Sequence, residues 1–304
     1  MQMTLRDWGL LILLSFLWGG AFFLAAVAVR EVPPLTIVLA RTGIAALVLA
    51  AVIGLGGEGW PFRRGTVAAF AIMGFLNNLV PFSLLFWAQT MIPSGLAAIL
   101  NATTPIFSIL VAHVLLADER MTAQRAIGIG FGFLGVVVLI GHPGLAGEGI
   151  ALAGMLACLG AALSYGVAAS FGRRFRGMGL SSVQVALGQL TATTLMMVPV
   201  AGLIDRPWTL AMPGLPVVGA VVALAVVSTA LAYVIFFRLL ASAGAVNTAL
   251  VTLLIPASAI VLGWLFLGER LGVQHYAGMG LIGLGLLAID GRVLRRLGWV
   301  GGAG

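Results

Sequence analysis

Charge is what this sequence has least of. Only 8% of its residues are Asp, Glu, Lys or Arg, against roughly a quarter in a soluble domain. Lysine is absent, and all nine carboxylates fall in connections or at the ends of apolar segments. With no acid inside an apolar run, a proton-antiport site built on a buried carboxylate is missing, and so is a counter-ion for a lipophilic cation. Cysteine is nearly missing too. Cys158 alone cannot form an internal disulfide, and a lone thiol in an apolar segment reads as a small core residue rather than a redox centre. There is no HExxH, no GxSxG, no pair of intramembrane carboxylates and no Cys/His cluster with metal spacing. Neither an enzyme nor a cofactor or metal is expected.

What is abundant is apolar residue, at 61% of the chain with a mean hydropathy of +1.15. Apolar runs of about 20 residues, long enough to cross ~30 Å of hydrocarbon, occur at 8–29, 34–54, 66–87, 94–116, 124–141, 149–171, 180–203, 215–237, 245–267 and 273–289. The first has Arg6 before it and Ala26-Val27-Ala28 behind it, as a cleaved leader would. Its apolar stretch is too long for a signal core, and removing it would leave nine segments, so it is retained as a span.

The stretch 94–141 is written twice. Glu119-Arg120 matches Glu269-Arg270, Gln124 matches Gln274, and Gly128, Gly130 and Gly135 match Gly278, Gly280 and Gly285. A one-residue gap upstream sets Pro105 on Pro256, Asn101 on Thr252, Asn78 on Thr229 and Phe82 on Tyr233, and a separate offset sets Trp18-Gly19 on Tyr165-Gly166. A repeat over half the chain determines the architecture: an all-α membrane protein of ten helices in two five-helix repeats, 1–142 and 143–304.

All sixteen basic residues are arginine. With both termini cytoplasmic, Arg6, Arg63, Arg64, Arg120, Arg125, Arg173, Arg174, Arg176, Arg238, Arg292, Arg295 and Arg296 lie inside, and only Arg30, Arg206 and Arg270 outside. This bias sets the orientation and makes the +7 formal charge a topology signal rather than a nucleic-acid footprint. Five helices per half is an odd number, so the two copies are inverted. Inverted repeats are a device of transporters with a site between the halves. A pore, or a structural or receptor membrane protein, is the alternative from another class.

The candidate site residues are polar groups beside prolines and aromatics near them. A proline leaves the carbonyl four residues back without its donor: Pro81 frees that of Asn77, Pro105 that of Asn101, and Pro256 that of Thr252. Asn78 and Phe82, or Thr229 and Tyr233, are four apart and share a helix face; Trp18 and Tyr165 add aromatic walls. Arg41 is the one full charge inside a segment, ~10 Å deep at 1.5 Å per residue. Such a charge is a functional hypothesis by default, although it could snorkel outward. His113 and His275 read as interfacial. The glycines of segments five and ten permit close backbone approach, so these helices are scaffold and a candidate dimer contact.

The Trp18-Gly19 pair, the Pro33-Pro34 turn followed by Arg41, and the twice-used run from mid-helix proline through Gly/Asp-Glu-Arg to a glycine-rich helix resemble the drug/metabolite transporter superfamily. The closest resemblance is to its EamA-like ten-helix exporters, and within them to the YddG-like aromatic amino acid exporters. The resemblance covers essentially the whole chain. It implies a bacterial inner-membrane exporter whose helices 1, 3, 4, 6, 8 and 9 form a basket around a central cavity. It implies a small-molecule substrate and lipid as partners, no nucleic acid, and a monomer or weak homodimer. Segment seven has Gly188 where segment two has Arg41, a departure from symmetry. The expected substrate is an amino acid with an aromatic or bulky apolar side chain; a nucleobase-like planar metabolite is the alternative.

Overall fold

The computed structural model describes residues 3–57, 59–117, 119–140, 149–248 and 250–290. The boundary between 142 and 143, and the C-terminal arginines Arg292, Arg295 and Arg296, lie outside the described residues. The described chain is helical throughout. Where hydrocarbon offers no hydrogen bonds, an apolar segment satisfies its backbone by closing i to i−4 bonds within itself. Among the described residues the ten long helices are α1 (Leu5–Ala28), α2 (Pro34–Gly56), α3 (Arg64–Ala88), α4 (Ser94–Leu115), α5 (Ala123–Ile140), α6 (Gly149–Gly172), α7 (Ser182–Ile204), α8 (215–243), α9 (Val251–Leu267) and α10 (Val273–Asp290). The first eight are long and apolar enough to cross a membrane, and α9 and α10 are shorter apolar helices.

Local sequence explains the ends. Thr4 and Asp7 form a reciprocal capping box on α1, Ser181 and Gln184 form another on α7, and Pro34 supplies a preset φ at the start of α2. Gly57 and Gly268 close α2 and α9 at φ 69° and 68°, a left-handed conformation that glycine adopts without a Cβ penalty. The largest departures from the sequence reading are at α8, which runs past Phe237 to Ala243 and takes Arg238 into its last turns, and at α9, which begins at Val251 rather than 245 behind a separate short helix, Ala245–Thr248.

Two irregularities come in repeat-related pairs or beside prolines. Phe75–Leu79 in α3 and Val226–Leu231 in α8 are wound as π-turns, at matching positions of the two copies. Ser164 of α6 donates to the Leu76 carbonyl at 2.6 Å, and the Thr229 hydroxyl donates to the Leu224 carbonyl at 2.7 Å, so these turns keep their backbone acceptors occupied. In α4 the helix is interrupted between Asn101 and Thr104, just before Pro105. There the Thr103 hydroxyl donates to Leu100 O (2.6 Å) and the Thr104 hydroxyl to Asn101 O (2.7 Å). The carbonyl freed by Pro105 is therefore taken by its own helix and is not open to a ligand.

The packing obeys a twofold rule. Helix α1 packs on α9 as α6 packs on α4, α3 packs on α6 as α8 packs on α1, and α2 pairs with α7 as α5 pairs with α10. The last pair shows the inversion directly. A Cβ on Gly128 would sit 2.6 Å from Gly285 O, and one on Gly135 would sit 2.7 Å from Gly278 O. Gly285 is the repeat partner of Gly135, and Gly278 that of Gly128, so each contact is the other turned over. These glycines meet within one chain rather than on a second copy. Gly128→Val is expected to lower the thermal unfolding midpoint in detergent, because overpacking costs about 1–3 kcal/mol even where side chains can yield, and here the obstacle is backbone. Gly130, whose Cβ direction is open, provides the control: Gly130→Val leaves the midpoint in place.

Candidate functional site

A cavity of about 680 Å³ lies between the two halves. The glycine of each aromatic-glycine pair explains how its wall is built. A Cβ on Gly19 would strike Ser258 and the Ile255 carbonyl of α9, and a Cβ on Gly166 would lie 2.9 Å from Ser108 N of α4. The bare glycine lets each helix pair close, and its neighbour, Trp18 or Tyr165, then lines the cavity. Trp18 rests against Phe236 of α8, ring centroids 5.4 Å apart.

Nine of the ten residues singled out in the sequence line this one space: Trp18, Arg41, Asn77, Phe82, Asn101, Tyr165, Thr229, Tyr233 and Thr252. Asn78 does not. It is fully buried between α3 and α7, where its Nδ2 donates to Thr193 Oγ1 at 3.3 Å. Asn78 lies within the π-turn, where i to i−5 closure brings residues five apart into line, and Asn77 stands with Phe82 in the lining; in the matching turn of α8 both Ser228 and Thr229 reach the cavity.

Arg41 does not snorkel. Its side chain is 7% exposed, its Nε donates to Thr229 Oγ1 at 2.8 Å, and its guanidinium carbon lies 4.0 Å from the centroid of Phe82. The ring face attracts the cation and the hydroxyl occupies one edge. Across the cavity, Asn77 Nδ2 donates to Gln189 Oε1 at 3.0 Å. Gln189 follows Gly188, against which the Phe70 ring packs, so the second half offers an amide where the first offers a guanidinium. The amide oxygens of Asn101 and Gln89 are buried with no partner among the described residues, and both residues line the cavity.

Sequence reasoning misses Gln89, Ser108, Arg176, Gln189 and Ser228, which also line the space. Ser228 was findable as a second hydroxyl beside Thr229; Gln89 and Arg176 sit at helix ends, where polar residues are unremarkable. Helices α2 and α7 contribute as well as the basket helices, while among the described residues none from α5 or α10 lines the cavity. Among the described residues no group of His, Cys, Asp or Glu could hold a metal. His113 and His275 accept from loop amides, Met121 N at 3.1 Å and Gly272 N at 2.9 Å.

The two ends of the cavity differ. At the face where α1 begins, its lining reaches Arg176, Leu180 and Ser182, and Arg176 is exposed. At the opposite face Phe86 and Gln89 are buried, and three carboxylates bind helix N-termini across the halves. Asp205 accepts from Thr36 N (2.7 Å) and Thr36 Oγ1 (3.0 Å). Glu31 accepts from Gly214 N (2.7 Å). Glu269 accepts from Ser94 N (2.8 Å), Ser94 Oγ (2.9 Å) and Gly95 N (3.1 Å). Anions there meet both unpaired N–H groups and the positive end of the helix dipole. Among the described residues Glu119, the repeat partner of Glu269, makes no such bond to the first turn of the matching helix. It pairs with Arg125 at 3.1 Å and stands 4.0 Å from Arg173, and it is 39% exposed.

A family model described as the EamA-like transporter family matches residues 8–141 and again 152–289. The chain belongs to the EamA-like transporter family and is a multi-pass membrane transporter of two inverted repeats. It is 25% identical over 291 residues to the "Uncharacterized transporter YoaV" of Bacillus subtilis, covering 91% of this chain and 94% of that one. It is 28% identical to an "Uncharacterized transporter" of Archaeoglobus fulgidus, covering 94% and 99%, and 26% identical to "Protein PecM" of Dickeya dadantii, covering 90% and 88%. A solved crystal structure shares the fold with a TM-score of 0.68 and 20% identity, over 96% of this chain and 98% of that one.

Proposed function

We propose that this protein exports amino acids with aromatic or bulky apolar side chains across a bacterial inner membrane, by alternating access between repeats 1–142 and 143–304, as a monomer or weak homodimer with both termini cytoplasmic. The observation that carries the reading is the cavity itself. Trp18, Phe82, Tyr165, Tyr233 and Phe236 wall it, and among the described residues its polar groups are amides and hydroxyls, neutral apart from the arginines. Apolar area leaving water contributes about 25 cal/mol per Å² and each ring contact roughly 0.5–1.5 kcal/mol more, which suits a bulky side chain at modest affinity. The arginine distribution supports the orientation, and under it the cavity reaches the cytoplasmic face while the carboxylate bonds close the outer one. An exporter loads from that side.

The substrate reading is tested by uptake of radiolabelled tryptophan, phenylalanine, methionine and nucleobases into liposomes holding the purified protein. Saturable, mutually competing flux of the amino acids is expected. Nucleobase flux with no competition from any of the three would overturn the reading, and non-saturable flux would make the protein a pore. Alternating access is tested by single cysteines at Asn101 and Thr252 in a Cys158→Ala background. Each is expected to label from either side according to conditions, and labelling from one side only under all conditions counts against it.

A further inference from the structure

We propose that Arg41 is a fixed anchor for a substrate carboxylate, so that the cavity takes aromatic acids with no net positive charge and binds monoanions at least as well as zwitterions. The inference rests on the cavity being the substrate site and goes beyond it by naming the charge the substrate must carry.

The charge inventory of the cavity is one-sided. Among the described residues its ionic lining groups are Arg41 at depth and Arg176 at the exposed mouth, and no Asp or Glu lines it. A cleft lined by one sign of charge concentrates the opposite sign, so an anion entering past Arg176 moves toward a second cation. Arg41 is charged at any physiological pH and is more than nine-tenths buried. Among the described residues no carboxylate pairs with it. Taking such a cation out of water is costly unless it is paired, and the protein meets that cost only in part. Phe82 covers one face of the guanidinium and Thr229 takes Nε–H, while among the described residues the four N–H groups of the two terminal nitrogens have no acceptor. Those four donors form the fork that a carboxylate accepts in bidentate fashion. A phosphate monoester, with nearly two charges, would leave one of them without a partner.

The ammonium end of a zwitterion finds a different reception. The unpaired oxygens of Asn101 and Gln89 can accept from it but carry no charge to neutralise it. An ammonium therefore gains hydrogen bonds here and loses its hydration, with no ion pair in return. Removing it should cost little affinity, whereas removing the carboxylate should cost much, because a desolvated charge is then left without its partner.

The experiment uses the full chain in lipid nanodiscs and four probes sharing one indole ring: indole-3-acetate (anion), tryptophan (zwitterion), tryptophan amide and tryptamine (cations). Binding is read by calorimetry, with inorganic phosphate as a competitor. Indole-3-acetate is expected to equal or exceed tryptophan, and both cations to bind at least about 30-fold more weakly, the loss for one unpaired buried charge. Arg41→Gln is expected to erase the difference between anion and cation, and Arg41→Lys, which keeps the charge without the fork, to fall between. Cations binding as well as indole-3-acetate, or an unchanged order in Arg41→Gln, overturns the anchor while leaving the aromatic cavity standing. Displacement by phosphate at matched concentration overturns the carboxylate assignment. Binding of none of the four overturns the anchor and the substrate reading together. If Arg41→Gln does not fold, the wild-type series and Arg41→Lys decide the matter.

Discussion

Glu269→Gln is expected to open the outer face. The carboxylate accepts three hydrogen bonds from the first turn of α4, two of them from backbone N–H groups at a helix N-terminus. The amide keeps one acceptor, loses the charge, and turns two donors toward donors. Charge-assisted bonds of this kind contribute about 1.5–3 kcal/mol each. If the substitution removes ~2–4 kcal/mol from the outward-closed arrangement alone, the ratio of closed to open forms falls roughly 30- to 1,000-fold. A membrane-impermeant maleimide should then label a cysteine at Gln89, buried behind this closure, much faster from outside in Cys158→Ala, Glu269→Gln protein than in Cys158→Ala protein. Glu119→Gln in the same background should leave that rate nearly unchanged. Glu119 here is 39% exposed and faces Arg125 and Arg173, and ion pairs of that exposure are worth about 0–1 kcal/mol. Equal effects of the two substitutions would show that the asymmetry between the repeat-related glutamates does not mark the access state.

Trp18→Ala combined with Asn101→Ala is expected to abolish most tryptophan flux. The first removes an aromatic wall and the area it buries, and the second removes an unpaired amide on the facing helix. Loss of a ring contact of about 0.5–1.5 kcal/mol plus ~2 kcal/mol of apolar burial lowers affinity by roughly 30-fold or more. Because Trp18 also rests on Phe236, unfolding must be told apart from lost binding: the thermal midpoint without substrate reports the former, and the shift of that midpoint on adding tryptophan the latter. Unchanged flux in the double variant would remove these residues from the site.

The spans, the repeat and its inversion were legible because each rests on many residues at once. Hydropathy sums over some 20 positions, the offset joining 119–135 to 269–285 recurs at the acid-base pair, the glutamine and three glycines, and the odd count of helices forces the inversion. The cavity wall was legible one position at a time and so less securely. Asn77 and Asn78 are adjacent amides within a π-turn that leaves no mark in composition, and Asn77 rather than Asn78 lines the cavity. Arg41 was visible as a misplaced charge, but its direction was not, since snorkelling and burial differ only in what surrounds the guanidinium, here Phe82 and Thr229. The bond from Glu269 to Ser94 joins residues 175 apart in the chain, and an acid in a loop looks the same whether or not a helix end is waiting for it.

The paired π-turns of α3 and α8 bear on how this chain tolerates length changes. A π-turn holds one residue more than the α-helical turn it replaces, so it behaves as an insertion that the helix has absorbed without breaking. Deleting one residue from 75–79 would let the segment relax to ordinary winding, with its hydropathy and span intact. Five residues of a π-turn come into line as four do in an α-helix, so the flanking residues would keep nearly their directions, and the change would fall on the residues of the turn, Asn77 and Asn78 among them. A related sequence one residue shorter at these two places would align well along its length and still present different side chains to the same cavity. Substrate preference in such chains could thus diverge by deletion alone, with no substitution of any lining residue.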